Sequence, residues 1–562
     1  MIPSNSIALL FLLLLSYFAA PIDAQNPYYT ALLNDSLYFF EAQRSGVLPD
    51  NNRVEWRHDS GLEDGSDNNV DLTGGYYDAG NYLKFTVPLS HTLTLIAWGA
   101  LEWYDGYVSA GQTEHLHDMI RWGTDWLIKA HPSDNVLFVQ VGEGSVDNNY
   151  WGPDSGIPTP RPSFMIDESS PGTDAAALTA AAFASSSLLL RATDEDYANT
   201  LLSHAERLYT FAESATPWQV YSDSVEASQD YYGTSTYSSQ LVYGALWLYR
   251  ATNNTMYRDK ASNFFDQFSL RTKQITILDW HDQTGAMYVL GAAVDDSGTD
   301  KYKDAAEDYI STIINDRSGG PCSYTIGGLL WCGSQSEWSS LVIANNMAFL
   351  AAMFSHTVDE TSEYDEFARA QLNYVLGDNP MKTPYVIGVH MNSPQNPHHA
   401  GASGGTSIRN IDAGETAHVL YGAIVGGPDY EDRYFDERSD YRQNEVSLNY
   451  QGSLQSLVSY QLVNNAVDPP YANITEPRPE VRRPGQSNTI AGWLIAVIVI
   501  VIIAAIVGAA IFVCFVRRRR NSAARKPTVA ELEKAAAQKS PTLPISPRIS
   551  SSPPPRPVTI SR

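Results

Sequence analysis

The stretch from Trp493 to Val516 contains no charged residue over 24 positions, and it constrains the chain more than any other feature. An α-helix of that length crosses a hydrocarbon core about 30 Å thick. Four consecutive arginines, 517–520, follow at once, and an excess of Lys and Arg marks the cytoplasmic side of a spanning helix. The run therefore predicts a transmembrane helix over 493–516 with the C-terminus inside. A buried core helix is a poor alternative because no other segment is so purely apolar.

A second apolar run, residues 7–20, lies at the N-terminus and is followed by small residues up to Ala24. Its length and place are typical of a signal peptide, residues 1–24, cleaved near Ala24, although no Lys or Arg precedes it. Signal peptide and spanning helix together predict a single-pass type I protein of the plasma membrane, with residues 25–467 outside the cell. Residues 468–492, rich in Pro, Arg and Glu, predict an extended stalk.

Charge divides the chain at the same helix. The tail 517–562 holds 11 Lys/Arg and 2 Asp/Glu and carries +9, so the remainder of a chain with net charge −26 carries −35. A body this acidic repels nucleic acid and anionic membrane surfaces, which excludes both as partners of the extracellular part. The tail is rich in Ser-Pro pairs, which predicts disorder, and its sequence identifies no cytoplasmic partner.

Only three cysteines are present, which excludes a disulfide scaffold and a cysteine cage for a metal. Cys322 and Cys332 lie in the extracellular part, where they either form a disulfide or remain a buried free pair. Three Asn-X-Ser/Thr sequons predict N-glycosylation; their asparagines are Asn34, Asn253 and Asn473. The sequence predicts no cofactor and no metal.

Residues 25–467 have an even composition and predict one domain that is mostly helical. Apolar residues recur at steps of three and four over the segments 89–101, 174–190, 241–249, 341–354 and 454–462. Long loops rich in Gly, Asp, Asn and aromatic residues separate these segments, and the alternation typical of strands is rare. The pattern indicates a helical array that presents its function on loops. Periodicity does not distinguish a closed toroid from a solenoid.

Three loops combine carboxylates with aromatic residues. They are 71–85 (Asp-Leu-Thr-Gly-Gly-Tyr-Tyr-Asp-Ala-Gly-Asn-Tyr-Leu-Lys-Phe), 394–400 (Pro-Gln-Asn-Pro-His-His-Ala) and 434–447 (Tyr-Phe-Asp-Glu-Arg-Ser-Asp-Tyr-Arg-Gln-Asn-Glu-Val-Ser). Hydrolysis of a glycosidic bond needs two carboxyls on opposite sides of the anomeric carbon. One protonates the leaving oxygen, and the other activates water or attacks directly. The loops therefore indicate a site for sugar chemistry.

These loops, in this order and with Gly-Asp-Asn-Pro at 377–380 between the first and second, resemble glycoside hydrolase family 9, the endoglucanase-type cellulases. The resemblance covers roughly residues 26–465, and the stretches 392–398 and 420–429 are most similar to the fungal-type branch. It implies an all-α fold, an (α/α)6 barrel, and inverting hydrolysis of β-1,4-glucan. The implied partner is a β-glucan polysaccharide.

Position by position, the resemblance assigns Glu445 as the general acid, whose pKa must be raised by burial or by a neighbouring carboxylate. Asp436 matches an aspartate that orders the same site, with a loop cap or an ion pair to Arg438 as the alternative. His398 matches a substrate-contacting histidine, and Arg438 is a further predicted substrate contact. The aromatic subsite positions, for which core packing is the alternative, are Trp151, Trp331 and Tyr450.

The first loop departs from the family pattern. Family 9 carries Asp-Ala-Gly-Asp, whose second aspartate is the general base, and here the motif reads Asp78-Ala79-Gly80-Asn81. Asparagine cannot accept a proton at neutral pH, and loss of a positioned base typically costs about 10²–10⁴ in rate. Asp78 remains as the predicted base or water-holding residue.

Other positions of the pattern also differ. Asn148 stands where a sugar-contacting His is usual, and Ala400 where an Arg is usual. Ser239 and Gln240 replace an Asp-Glu pair that many members use for calcium, which disfavours that site here. The leading hypothesis is a membrane-anchored β-1,4-glucanase. The competing hypothesis, based on Asn81, is a catalytically inactive glucan receptor or wall-tethering protein. A purely structural surface protein is disfavoured because the aromatic loops persist.

Overall fold

The computed structural model describes residues 26–273, 275–315, 320–464, 467–481, 483 and 492–523. The chain divides into two compact units, residues 1–482 and 483–562. The predicted signal peptide and the tail beyond residue 523 lie outside the described residues.

The described part of the first unit contains twelve helices of eleven or more residues. They are α1 (Pro27–Ala42), α2 (Thr86–Glu102), α3 (Thr113–Ala130), α4 (Thr173–Leu190), α5 (Glu195–Ser214), α6 (Ser238–Thr252), α7 (Thr255–Gln267), α8 (Thr284–Val294), α9 (Lys301–Ile314), α10 (Gly333–Thr357), α11 (Ser362–Val375) and α12 (Leu448–Val463).

The even-numbered helices form a closed inner ring, in which each contacts the next and α12 contacts α2. The odd-numbered helices pack outside this ring, for example α1 on α12, α5 on α4 and α11 on α10. Composition explains the two layers. Helix α4 is an Ala/Leu/Ser helix buried on nearly every side, whereas α5 is buried along one stripe and charged on the other. The contact between α12 and α2 closes the barrel, which periodicity alone could not predict.

The remaining regular elements in the described part of the first unit are short. The strands are β1 (Lys84–Phe85), β2 (Leu137–Val141), β3 (Ser163–Ile166), β4 (Ser323–Tyr324) and β5 (Leu330–Trp331). Strands β1, β2 and β3 form one antiparallel sheet, and β4 pairs with β5. The short α-helices are Tyr104–Ser109, Gly144–Asp147, Tyr221–Ser224, Gln229–Tyr232, Ala400–Ser403 and Tyr441–Asn444. The 3-10 helices are Ser66–Asn68, Asp154–Gly156, Glu226–Ser228, Leu270–Thr272, Ile408–Asn410 and Pro470–Asn473.

Cys322 and Cys332 form a disulfide, so the free-pair alternative is wrong in this structure. The bond joins the two ends of the β4–β5 hairpin, which carries Trp331. The hairpin leads directly into the inner helix α10.

The beginning of the segment predicted as an extended stalk packs on the barrel instead. Tyr471 is buried, and its ring meets that of Tyr28 edge to face. Further along, Arg478 forms an ion pair with Asp436 at 3.1 Å. The sequence predicts the end of the domain at residue 467, because Pro-Pro and charged residues are typical of linkers. In the structure Tyr471 and Arg478 nevertheless contact residues of the domain.

Three helices in the described part of the chain are long and apolar enough to cross a membrane. Two of them are α4 and α10, whose apolar windows are 94% and 89% buried inside the barrel. The third, Ala496–Ala523, lies in the second unit within the helix Gly492–Ala523 and has no buried part. Burial in the barrel accounts for the apolar character of the first two, so only the third matches the predicted spanning segment.

Candidate active site

The three loops singled out in the sequence meet at one end of the inner ring. The His398 N–H donates to the Asn444 carbonyl at 2.7 Å, and His398 and Glu445 form a parallel β-bridge. The Leu448 N–H, at the start of α12, donates to the Asp78 carbonyl at 2.9 Å. Backbone hydrogen bonds therefore hold both carboxyl-bearing loops in place.

Gly80 allows the first two loops to approach this closely. A Cβ atom on Gly80 would lie 1.8 Å from the His398 carbonyl oxygen, so no other residue fits there. The Gly80 carbonyl in turn accepts from the Ala400 N–H at 2.7 Å. The glycine of the Asp78-Ala79-Gly80-Asn81 motif is thus required by packing.

Asp78 is buried and is held by a tyrosine distant in sequence. The Tyr232 hydroxyl donates a hydrogen bond to Asp78 Oδ2, whereas Oδ1 has no hydrogen-bond partner among the described residues. Burial raises the pKa of Asp78 to about 7, against the opposing effect of the nearby hydroxyls of Tyr232 and Ser447. Asp78 can therefore exchange a proton near neutral pH, and both of its carboxyl oxygens are enclosed by the protein.

Glu445 follows the short helix Tyr441–Asn444 and is partly exposed. Burial by its surroundings raises the pKa of Glu445 to about 8, and the negative charge of Asp78 adds to this shift. The side chain of Asn444, which is fully buried, donates to the Phe435 carbonyl at 2.7 Å and fixes the backbone before Glu445. Burial therefore favours a protonated Glu445 at neutral pH, and an ionised Asp78 favours that state further.

Asn81 and Asn148 are hydrogen-bonded to each other. Asn81 Nδ2 donates to Asn148 Oδ1 at 3.3 Å, and Asn148 Nδ2 donates to the Tyr231 hydroxyl at 2.8 Å. The Asn81 side-chain oxygen accepts from the Leu83 N–H at 3.3 Å. The two amides whose identity departs from the family pattern thus form one neutral chain of hydrogen bonds, and neither can act as a base.

His398 lies beside Trp151, with ring centroids 5.0 Å apart. His398 Nδ1 donates to the Arg438 carbonyl at 2.8 Å, because a carbonyl can only accept. Burial lowers the pKa of His398, so the ring is neutral and its Nε2 is an acceptor. Trp151 is only 4% exposed, so it packs behind the histidine as the core-packing alternative expects.

Asp436 organises the neighbouring loop. Its two carboxylate oxygens accept from the backbone N–H groups of Gln395 and Asn396, each at 2.9 Å. Its ion-pair partner is Arg478, not Arg438. These contacts correspond to the loop-cap alternative, and they place Asp436 in a supporting position behind the 394–400 loop.

Arg438 is a buried structural cation in this arrangement. Its guanidinium donates to the Ile411 carbonyl at 2.6 Å and to the Thr416 hydroxyl at 2.9 Å. Its backbone carbonyl orients the His398 ring. The predicted contact of the Arg438 side chain with substrate would therefore have to compete with these bonds.

The other predicted aromatic contacts occupy different places. Tyr450, on α12, is buried, and the charges of Glu445 and Asp78 act on its hydroxyl, so it lies close to the carboxyl pair. Trp331 is partly exposed on the β4–β5 hairpin, where its ring meets Tyr430 edge to face at 5.5 Å. Trp331 is thus available to a ligand, and Tyr450 forms part of the wall.

The three sequon asparagines differ in exposure. Asn253, after α6, and Asn473 are exposed. Asn34 lies within α1, where its side-chain oxygen accepts from Arg53 at 2.7 Å and its amide donates to Asp35 at 3.2 Å. Accessibility therefore favours Asn253 and Asn473 as glycosylation sites.

Two contacts of the site do not follow from the sequence. Tyr232 binds Asp78, and the Trp280 ring packs edge to face on Tyr232 with centroids 4.9 Å apart. Tyr232 is 154 positions from Asp78 in the chain, so no local pattern connects them. Aromatic side chains in a long polar loop are the only available signal.

Comparison with known proteins agrees with this geometry. The model of the family described as Glycosyl hydrolase family 9 matches residues 29–458. Endoglucanase A of Bacillus pumilus is 40% identical over 430 residues, which are 75% of this chain and 64% of that protein. Endoglucanase 15 of Arabidopsis thaliana is 38% identical over 470 residues, 77% of this chain and 93% of that protein.

Solved structures give the same result for the fold. The endoglucanase of the termite Nasutitermes takasagoensis superimposes with a TM-score of 0.73 at 38% identity, over 78% of this chain and 99% of that chain. The chain spans less than two thirds of the length of the Bacillus relative, but it covers the termite enzyme almost completely. The predicted all-α fold is confirmed, and the chain belongs to glycosyl hydrolase family 9.

Proposed function

We propose that this protein is a membrane-anchored endo-β-1,4-glucanase that hydrolyses β-1,4-glucan outside the cell. The observation that carries the proposal is the pair of carboxyls Glu445 and Asp78, whose pKa values are about 8 and about 7. The negative charge of an ionised Asp78 favours the protonated form of Glu445. Inverting hydrolysis requires such a pair, one acid and one base.

Glu445 is the proposed general acid. Glu445 is partly exposed as a residue, and its raised pKa keeps the proton available at neutral pH. The proton passes from Glu445 to the oxygen of the leaving sugar as the glycosidic bond breaks. Electrostatic repulsion from ionised Asp78 supports the protonated state of Glu445 before the transfer.

Asp78 is the proposed base. Tyr232 donates a hydrogen bond to Oδ2, whereas the buried Oδ1 has no hydrogen-bond partner among the described residues. Oδ1 is the proposed acceptor of the proton from the attacking water. Asn81 contributes only as a neutral hydrogen-bonding group. His398, as a neutral acceptor at Nε2, is proposed to hold a sugar hydroxyl, with Trp331 as the accessible aromatic contact.

The proposed location is the plasma membrane, with type I topology. The exposed apolar helix Ala496–Ala523 would be the anchor, ahead of a basic cytoplasmic tail. Protease added to intact cells should remove the barrel and leave a protected C-terminal fragment. Complete protection of the barrel would contradict this topology. Similarity of 392–398 and 420–429 to the fungal-type branch stays a prediction.

Reducing-end release from a soluble β-1,4-glucan tests the activity, with the full-length chain in detergent. Glu445→Gln should abolish release. A matched control is Glu360→Gln, the same change at an exposed glutamate after α10. Equal activity in the wild type and Glu445→Gln would refute Glu445 as the acid.

A second candidate function is favoured by Asn81. The neutral Asn81–Asn148 chain is compatible with a protein that binds glucan without cleaving it. Calorimetric titration with cello-oligosaccharides separates the two functions. Binding without release, in the wild type and in Glu445→Gln alike, would favour the receptor; absence of binding would contradict both.

A further inference from the structure

The family resemblance implies a calcium ion near the start of α6, and the residues present do not fit one. Ser239 and Gln240 are buried there, and the Ser239 hydroxyl lies 3.3 Å from Oδ1 of Asp282, which precedes α8. The Gln240 amide donates to the His281 carbonyl at 2.7 Å, so it presents a hydrogen-bond donor. Among the described residues, no group of three or more His, Cys, Asp or Glu could hold a metal. One carboxylate is too little charge for a calcium site.

An ammonium group satisfies that carboxylate instead. Lys273 Nζ lies 2.8 Å from Asp282 Oδ2, and 3.4 Å from the hydroxyls of both Thr236 and Thr284. Asp282 is 2% exposed and Lys273 23% exposed. Burial alone would raise the pKa of Asp282, but the positive charge of Lys273 lowers it below its usual value. The buried carboxylate is therefore charged and paired.

We propose that the Lys273 ammonium is a built-in cation that replaces calcium in this protein, so that the fold does not depend on the metal. A single positive charge suffices because Ser239 and Gln240 have removed two negative charges relative to the family pattern. The hydroxyls of Thr236 and Thr284 supply oxygen contacts around the ammonium, as a metal would require of its ligands.

The same ion pair positions the carboxyl site. Asp282 ends the loop that carries Trp280, whose ring supports Tyr232 at 4.9 Å. Tyr232 in turn donates to Asp78. The ion pair therefore lies two residues along the chain from the aromatic ring that supports the Tyr232–Asp78 hydrogen bond, and we infer that it helps to position Asp78. This last step rests on the proposed function, whereas independence from calcium does not.

The unfolding temperature of the full-length chain in detergent tests the replacement. The wild type should unfold at the same temperature with calcium chloride or with a chelator. Lys273→Met should lower that temperature by several degrees because it leaves Asp282 buried and unpaired, and Lys273→Arg should restore most of the loss. The control Lys301→Met removes a lysine of similar exposure, 22%, whose partner Asp266 is 69% exposed, and should change little.

A combined variant makes the test reciprocal. Ser239→Asp, Gln240→Glu and Lys273→Ser together should create a chain that calcium stabilises and the chelator destabilises. A wild type that calcium stabilises, or that retains one calcium per chain in native mass spectrometry, would overturn the proposal. Should the combined variant fail to fold, the wild type and the two Lys273 substitutions still decide. If the wild type had no catalytic activity, its unfolding temperatures could still be measured and compared. Failure of the proposed function is therefore distinguishable from failure of the calcium replacement.

Discussion

Substitution of Glu445 by Gln removes one ionisable proton and little else. The amide fills the volume of the carboxyl but cannot donate a proton to a leaving oxygen with comparable driving force. We expect kcat to fall by about 10²–10⁴, the usual contribution of a general acid. KM should change little, because the uncharged side chain resembles the protonated carboxyl of the resting site.

The same substitution should stabilise the fold, increasingly so at higher pH. The pKa of Glu445 rises from 4.5 to about 8 in the folded protein. Each unit corresponds to about 1.36 kcal/mol, so the shift is worth about 5 kcal/mol at most, and hydration of the partly exposed carboxyl reduces this figure. The folded state holds its proton to higher pH than the unfolded state does. The contribution of Glu445 is therefore fully present below pH 4.5 and is lost as pH rises through about 8.

Denaturant unfolding at a series of pH values, followed by tryptophan fluorescence, measures this difference. The free energies of unfolding of Glu445→Gln and the wild type should diverge between about pH 4.5 and 8 and run parallel above it. Glu360→Gln should show no such divergence. A constant difference between Glu445→Gln and wild type across the whole range would refute the argument that burial and Asp78 raise this pKa.

Three further outcomes follow from the same contacts. Asn81→Asp should raise glucan hydrolysis by about 10²–10⁴ by supplying a second base; a variant that binds glucan but stays inert would contradict an otherwise competent site. Tyr232→Phe removes a hydrogen bond that lowers the pKa of Asp78, so the acidic limb of the rate profile should move to higher pH, and an unchanged limb would disprove that link. Gly80→Ala should cost about 1–3 kcal/mol or more of stability through its clash with His398. If this variant unfolded at the same denaturant concentration as the wild type, the loops at Gly80 and His398 would be less closely packed than the structure shows.

The helices are predictable from the sequence because each buries a stripe or a whole surface of apolar residues. The meeting of the loops at 71–85, 394–400 and 434–447 is implied by resemblance, and backbone hydrogen bonds account for it. Pairings across long stretches of chain are not predictable: closure of the ring between α2 and α12, and the bond from Tyr232 to Asp78. In such cases the geometry of the whole barrel decides which side chains meet, and local propensity carries no information about it.

Two of the departures from the family pattern change the local charge, with different consequences. At Ser239 and Gln240 negative charges are lost, and Lys273 balances the Asp282 carboxylate that remains. At Asn81 and Asn148 the two amides satisfy each other and leave no charge. The replacement at Ser239 and Gln240 keeps the neutralisation of Asp282 that a cation would provide, because Lys273 still supplies a positive charge. The replacement at Asn81 and Asn148 keeps the local hydrogen bonds but removes the general base, because neither amide can accept a proton at neutral pH. Turnover, where it is found, must therefore use Asp78, and its rate should rise with the ionisation of that carboxyl near pH 7.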